Sequence, residues 1–223
     1  KNKYNDNRIN WLIAGKAEAR KGTFRLLKLW VNKFGLQLGQ PWRDDNRHFL
    51  NCAITNPFFQ DENMRNYFQQ QIHEALGGKR YYNIQFFDHL KTNKEYNSLL
   101  NETHIDLTGM SSAESWNLPA FQVSCLSGWS IILNATGHKS WANDKNSILV
   151  NPSSKRPIYD NIFFVQNTPF SQGNVFDFND EDLLLAMDKA IKIAKTPNVE
   201  GEKLQDMTYD KAVGDILTKI GNT

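Results

Sequence analysis

The chain has 223 residues, 40% hydrophobic and 12% aromatic, with a formal net charge of +2. That much apolar mass excludes a disordered segment, and so small a charge argues against nucleic acid as a main partner. There is no run long enough to span a membrane and no visible signal peptide, and the two cysteines lie outside any C-x-x-C or Cys/His pairing, so a reducing, cytoplasmic setting is expected.

Ile9–Ala14 (INWLIA) reads as a short buried strand. It runs into Gly15–Gly22 (GKAEARKG), a loop bracketed by glycines and carrying Lys16, Arg20 and Lys21. From Thr23, the residues Leu26, Leu27, Trp30, Val31 and Phe34 recur at helical spacing, and Gly35 fits the stop. A polar, irregular stretch (36–47) precedes a second strand over 48–55. Asp61 opens a second amphipathic helix, with Met64, Phe68, Ile72 and Leu76 on one face. Tyr81–Phe87 reads as a third strand ending at Asp88-His89, 93–100 as a short helix, and His104–Leu107 as a fourth strand.

Next comes Thr108–Gly128 (TGMSSAESWNLPAFQVSCLSG). A small-residue turn leads to one carboxylate, Glu114, then to Ser115-Trp116-Asn117, Leu118-Pro119 and a short apolar helix. Pro suits the first helical turn, and Asn just before it can cap. The N–H groups of Ser115–Leu118 are then free to face a ligand, and a helix start after a strand is a ready anion site. A phosphorylated ligand is one expectation here; an ordinary strand-to-helix connection with a buried Trp is the other.

Trp129–Asn134 and Ser147–Val150 read as fifth and sixth strands. Between 151 and 178 the rhythm breaks in a stretch rich in Pro and aromatics, expected to be an inserted loop or hairpin near 153–175. Helices over 180–195 and 208–220 close the chain. Strands alternating with helices imply an α/β fold with a largely parallel, doubly wound, Rossmann-like sheet, whose ligands bind beyond the carboxyl ends of the strands. The loops gathered there carry Lys16, Arg20, Lys21, Asp88, His89, residues 114–119 and Gly137–Lys139. Cations, free backbone donors and one carboxylate suit a ligand with a diphosphate and a hydroxyl-rich portion.

The motif order resembles the C-terminal half of GT-B glycosyltransferases, particularly the retaining family 4 group (glycosyl transferases group 1). The family's G-R-L-x-x-x-K-G resembles Gly15–Gly22, with Lys16 in place of Arg and Lys21 as the Lys of K-G. The third strand and next helix resemble Ile84 through Leu107, with Asp88 where Gly is usual. The family's S-x-x-E-g-f-G-l-p-x-x-E matches Ser111–Gln122 in register; Glu114 is the first Glu of its E-x7-E motif and Gln122 replaces the second. Ser147–Pro152, Asp180–Met187 and Thr208–Ala212 resemble the later family segments.

The resemblance implies that residues 1–223 form a single Rossmann-like nucleotide-sugar-binding domain, with the acceptor-binding N-terminal half in another part of a larger polypeptide or in a partner chain. Lys16 and Lys21 would bind the diphosphate and stabilise its departure, and Glu114 would contact sugar hydroxyls. Ser115, Trp116, Asn117 and Leu118 would touch sugar and phosphate, Gln122 the ribose, and Asp88 and His89 the base, with Arg20 an added cation. The family needs no bound metal or cofactor; the nucleoside-diphosphate sugar is a substrate. Asp180-Glu181-Asp182 looks like a D-x-D metal motif, but acids in a helix's first turn serve the dipole. Trp116 is equally suited to stacking on sugar or filling core. A non-catalytic interaction domain that kept the fold is the alternative, motivated by Gln122 and the aromatic insert.

Overall fold

The computed structural model describes residues 2–41, 46–56, 61–159, 164–169 and 173–221. Six parallel strands form one sheet in the order β3-β2-β1-β4-β5-β6: β1 (Ile9–Ala14), β2 (His48–Ala53), β3 (Ile84–Phe86), β4 (Ile105–Asp106), β5 (Trp129–Leu133) and β6 (Ser147–Val150). The crossovers are α1 (Thr23–Phe34), α2 (Glu62–Ala75), α3 (Asn93–Glu102) and α4 (Leu118–Cys125). The order reverses direction between β1 and β4, the switch point at which the loops leaving neighbouring strands diverge and open a crevice.

Apolar runs set the strands. Trp11, Leu12, Ile13, Leu50, Ile105, Ile131, Ile132 and Leu133 are all within a few percent of complete burial. Each such side chain contributes about 1.5–3 kcal/mol of transfer free energy. On one sheet face α1 packs Leu26, Leu27 and Trp30, together with Leu183, Met187 and Ala190 of the later helix α5 (Asp180–Ile193). A smaller cluster, Leu12, Ala14, Leu99, Leu100 and Val123, lies under α3 and α4.

The third strand is shorter than the sequence predicts. Asn83 delays its start: its amide donates to the carbonyls of Phe34 and His48, and its Oδ1 accepts from the Leu36 N–H at 2.9 Å. Tyr81 forms only an isolated bridge to Gln37. Helix α2 is amphipathic as expected, yet only Ala75 is buried on it, with Phe68, Ile72 and Leu76 at the edge of the core.

The expected insert is a hairpin: β7 (Ser154–Pro157) pairs antiparallel with β8 (Asn174–Asp177). After α5 come a single turn, α6 (Val199–Glu202), and α7 (Tyr209–Gly221). No residue of α7 is buried, and Val213, Ile216 and Leu217 are each more than half exposed. No helix among the described residues is long and apolar enough to cross a membrane.

Candidate functional site

The loops leaving β1 and β4 meet at the switch point. The Ala14 N–H donates to Thr108 Oγ1 at 2.9 Å, and the Ser112 N–H to the Arg20 carbonyl at 2.7 Å. Below them, buried Asp106 accepts from the Thr108 and Gly109 N–H groups and fixes the turn after β4. Burial pushes its carboxyl up to about 6, against the pull of those donors and of Lys21.

Glu114 projects from this turn, and three donors converge on its Oε1: Lys21 Nζ at 2.6 Å, Ser111 Oγ at 2.8 Å and Arg20 Nη1 at 2.9 Å. Its Oε2 accepts no hydrogen bond among the described residues. Burial alone would raise this carboxyl; Lys21, Ser111 and Arg20 outweigh it and hold it below its usual range. Arg20 also pairs with Glu18 through Nε at 2.9 Å and donates to the Ala113 carbonyl. Lys21 folds back over Gly15, where a Cβ would lie in ordinary contact with its ammonium at 3.6 Å.

The backbone of Glu114 is clamped from the loop after β5. Its N–H donates to Thr136 Oγ1 at 3.3 Å, and its carbonyl accepts from the Gly137 N–H at 2.9 Å. The next residues enter α4. None of the N–H groups of Ser115, Trp116, Asn117 or Leu118 donates to a protein acceptor among the described residues. With the positive end of the α4 dipole beside them, they form an anion-attracting row.

Asn117 occupies the N-cap position but does not cap. Its backbone is left-handed, with φ 64°, and its side chain turns inward. The amide donates to the Thr108 carbonyl at 2.9 Å and contacts His138 Nε2 at 3.0 Å, and Oδ1 has no partner among the described residues. His138 Nδ1 faces the Leu133 carbonyl, so Nδ1–H donates there and Nε2 accepts from Asn117. The capping pattern in the sequence thus reports the turn correctly and the side chain's use wrongly: a buried carbonyl and imidazole outcompete the helix end.

The structure brings Lys21, Arg20 and Glu114 into direct contact. Lys16 stands exposed on the same loop, and Ser115 and Leu118 are exposed at the start of α4. Trp116 leans into a hydrophobic cluster with Phe121 and Trp141, and its carbonyl accepts from Trp141 Nε1. Gln122 is half-buried on α4. Asp88 and His89 are exposed just beyond β3, and among the described residues no hydrogen bond or ion pair joins them to the Glu114 cluster. Among the described residues no three His, Cys, Asp or Glu side chains gather as metal ligands. Asp180, within the D-x-D-like run, pairs with Arg25 at 2.7 Å in the first turn of α5. Sequence reasoning placed Ser111 at the head of the S-x-x-E motif and Gly137 in a gathered loop but gave neither a contact with Glu114, and it passed over Thr136, because short polar residues and glycine do not announce their partners.

No family model matches the chain, and no curated protein matches it by sequence. Solved structures do match by fold. The C-terminal domain of a glycosyl transferase group 1 family protein (LpcC) from Francisella tularensis aligns with a TM-score of 0.58 at 16% identity, over 90% of this chain and 86% of that one. Sucrose-phosphate synthase from Thermosynechococcus elongatus aligns at 0.61 and 15%, over 97% of this chain and 45% of that one. HepE of Anabaena, solved with UDP, aligns at 0.57 and 11%, over 96% and 49%. The chain therefore spans less than half of the latter two proteins and nearly all of an isolated C-terminal domain, and its fold is that of the C-terminal half of a GT-B glycosyltransferase.

Proposed function

We propose that this chain is the donor-binding half of a retaining, metal-independent glycosyltransferase that moves a sugar from a nucleoside diphosphate to an acceptor. The acceptor is held by a second α/β half, N-terminal in the same polypeptide or in a partner chain. The observation that carries the reading is the pairing at the switch point of a lysine-bearing loop with a row of unengaged N–H groups at the start of α4. The likeness in fold to glycosyltransferases, one of them solved with UDP, supports it.

In this reading Lys16, Lys21 and the α4 N-terminus bind the diphosphate. As the sugar–phosphate bond breaks, negative charge accumulates on the departing diphosphate, and fixed cations and dipoles stabilise it more than they stabilise the ground state. These groups take the part a bound metal plays elsewhere. Glu114 accepts hydrogen bonds from sugar hydroxyls through Oε2, and Ser115–Leu118 contribute N–H groups and the exposed surface of Leu118. Trp116 acts through its backbone, because its indole is committed to packing. Gln122 meets the ribose as a neutral acceptor, weaker than a carboxylate. Asp88 and His89 border the base. The isolated chain binds donor and does not turn over.

Calorimetry with UDP-, GDP- and ADP-sugars tests this. One class binds, and Lys21→Ala weakens it by about tenfold or more, the scale of one charge-assisted phosphate contact. Absence of binding to every nucleotide and nucleotide sugar overturns the reading. A non-catalytic interaction domain is the second reading, favoured by Gln122 and by the hairpin that flanks the site; sugar transfer by the chain joined to its second half excludes it.

A further inference from the structure

We propose that Glu114 is an internal competitor for the phosphate site: its carboxylate and a ligand phosphate contend for the same two cations, Lys21 and Arg20, and a phosphate that wins releases Glu114 to accept hydrogen bonds from the rest of the ligand. This deepens the donor-binding reading and rests on it.

The sequence counts three cations in the loop after β1. In the structure Lys21 and Arg20 are paired with carboxylates. Lys21 and Arg20 both end on Glu114 Oε1, and Arg20 is shared with Glu18, so the four side chains sum to no net charge. A phosphate approaching Lys21 therefore meets an occupied cation. The exchange is favourable because a phosphate brings more charge and more acceptor oxygens to two cations than one carboxylate does.

The exchange requires the carboxylate to move. Lys21 and Glu114 are equally enclosed, their side chains 12% and 11% exposed, and the Lys21 ammonium lies over Gly15. The backbone of Glu114 is fixed by Thr136 and Gly137. With the turn held in place, displacement takes the Glu114 side chain about its own torsions, away from the two cations. Once displaced it is a half-buried carboxylate short of donors, and hydroxyls beside the phosphate supply them. Phosphate and hydroxyl recognition are thereby coupled, each strengthening the other by the same factor.

Calorimetry on the whole chain with inorganic pyrophosphate, with UDP, GDP and ADP, and with their glucose conjugates tests this. Glu114→Gln keeps the shape and removes the charge. It should bind pyrophosphate about tenfold more tightly than wild type, the equivalent of one charge-assisted hydrogen bond, and Lys21→Gln in the same chain should erase the gain. The preference for the sugar conjugate over the bare diphosphate should fall in Glu114→Gln. Ser111→Ala loosens the carboxylate without altering charge and should shift pyrophosphate affinity the same way by a smaller factor; it carries the test if Glu114→Gln does not fold. Equal or weaker pyrophosphate binding by the variants, while wild type binds a nucleoside diphosphate, overturns the competition and leaves the donor-binding reading standing. No binding of any probe by wild type or variants overturns both.

Discussion

The Gly137 N–H donates to the Glu114 carbonyl at 2.9 Å, and a Cβ on Gly137 would stand 1.8 Å from the Ser115 carbonyl oxygen. Two loops, one leaving β4 and one leaving β5, are thus in backbone contact directly beneath the Glu114 side chain. Thr136, at φ 52°, holds an uncommon left-handed conformation to bring that contact about.

Gly137→Ala should therefore act on stability and ligand binding together. The obstruction is backbone, which cannot rotate away, so the 114–117 turn must lift. A loss of about 1–3 kcal/mol is expected, as for other overpacked sites. Urea denaturation measures it. Nucleotide affinity should fall with it, because the N–H groups of Ser115–Leu118 move with the turn. Unchanged stability would mean that the loop yields, against the geometry.

Arg25 should hold the hairpin at the rim of the site. Its guanidinium pairs with Asp177 and Asp180 at 2.7 Å each, donates to the Phe178 carbonyl at 2.8 Å and lies 4.1 Å from the Phe178 ring centroid. Beside it the Phe176 N–H donates to the Ser112 carbonyl at 3.3 Å, tying β8 to the Glu114 turn. The arginine is partly exposed, so solvent screens each pair, and Arg25→Ala should cost about 1–2 kcal/mol in all. Amide exchange at Phe176 should accelerate more than exchange at Leu50 in the sheet core. Arg25→Lys cannot reproduce the forked contacts and should recover little.

His138 should make stability fall on acidification. Burial, with Lys21 adding to it, lowers its pKa, while the Leu133 carbonyl and Glu114 pull the other way. The folded state thus disfavours the charged ring, whose new Nε2–H would face the Asn117 amide hydrogens. A base depressed on folding contributes stability that is complete above its unfolded value near 6.5 and is lost as pH falls below it. His138→Gln removes this component. Unfolding free energies from pH 7.5 to 5 should then slope less steeply for the variant, by at most about 1.4 kcal/mol per pH unit. His104, lowered to about 4 chiefly by burial, titrates alike in both proteins and cancels in the comparison.

The sequence made much of this legible. Short, mostly apolar strands such as Ile9–Ala14 and Ser147–Val150 occupy the predicted residues because burial on both sheet faces demands nearly continuous apolar side chains. The switch point followed from strand–helix alternation, and with it the meeting of the Lys21 and Glu114 loops. What stayed hidden depended on partners far along the chain. Asn83 shortens β3 through Phe34 and His48. Asn117 abandons its cap for Thr108 and His138. Arg20, read as a cation for the ligand, proves to be shared between Glu18 and Glu114. Each is a competition between a local rule and a long-range contact, and local spacing records only the first contender.

The last helix should be energetically idle in this chain. Val213, Ile216 and Leu217 form an apolar stripe at helical spacing on α7, yet none of them is buried. Helices of this length draw most of their stability from packing, and α7 finds little of it here. Ile216→Lys and Leu217→Lys should therefore change the unfolding free energy of the chain by less than about 0.5 kcal/mol, the range of ordinary surface substitutions. Leu183→Ala, at a fully buried position of α5, should cost about 2–5 kcal/mol in the same assay. A loss above 1.5 kcal/mol from either lysine variant, on the order of burying a full side chain, would mean that the stripe packs against this chain in solution. If the variants are instead silent here but lower stability once the second half is joined, the stripe belongs to the contact between the two halves.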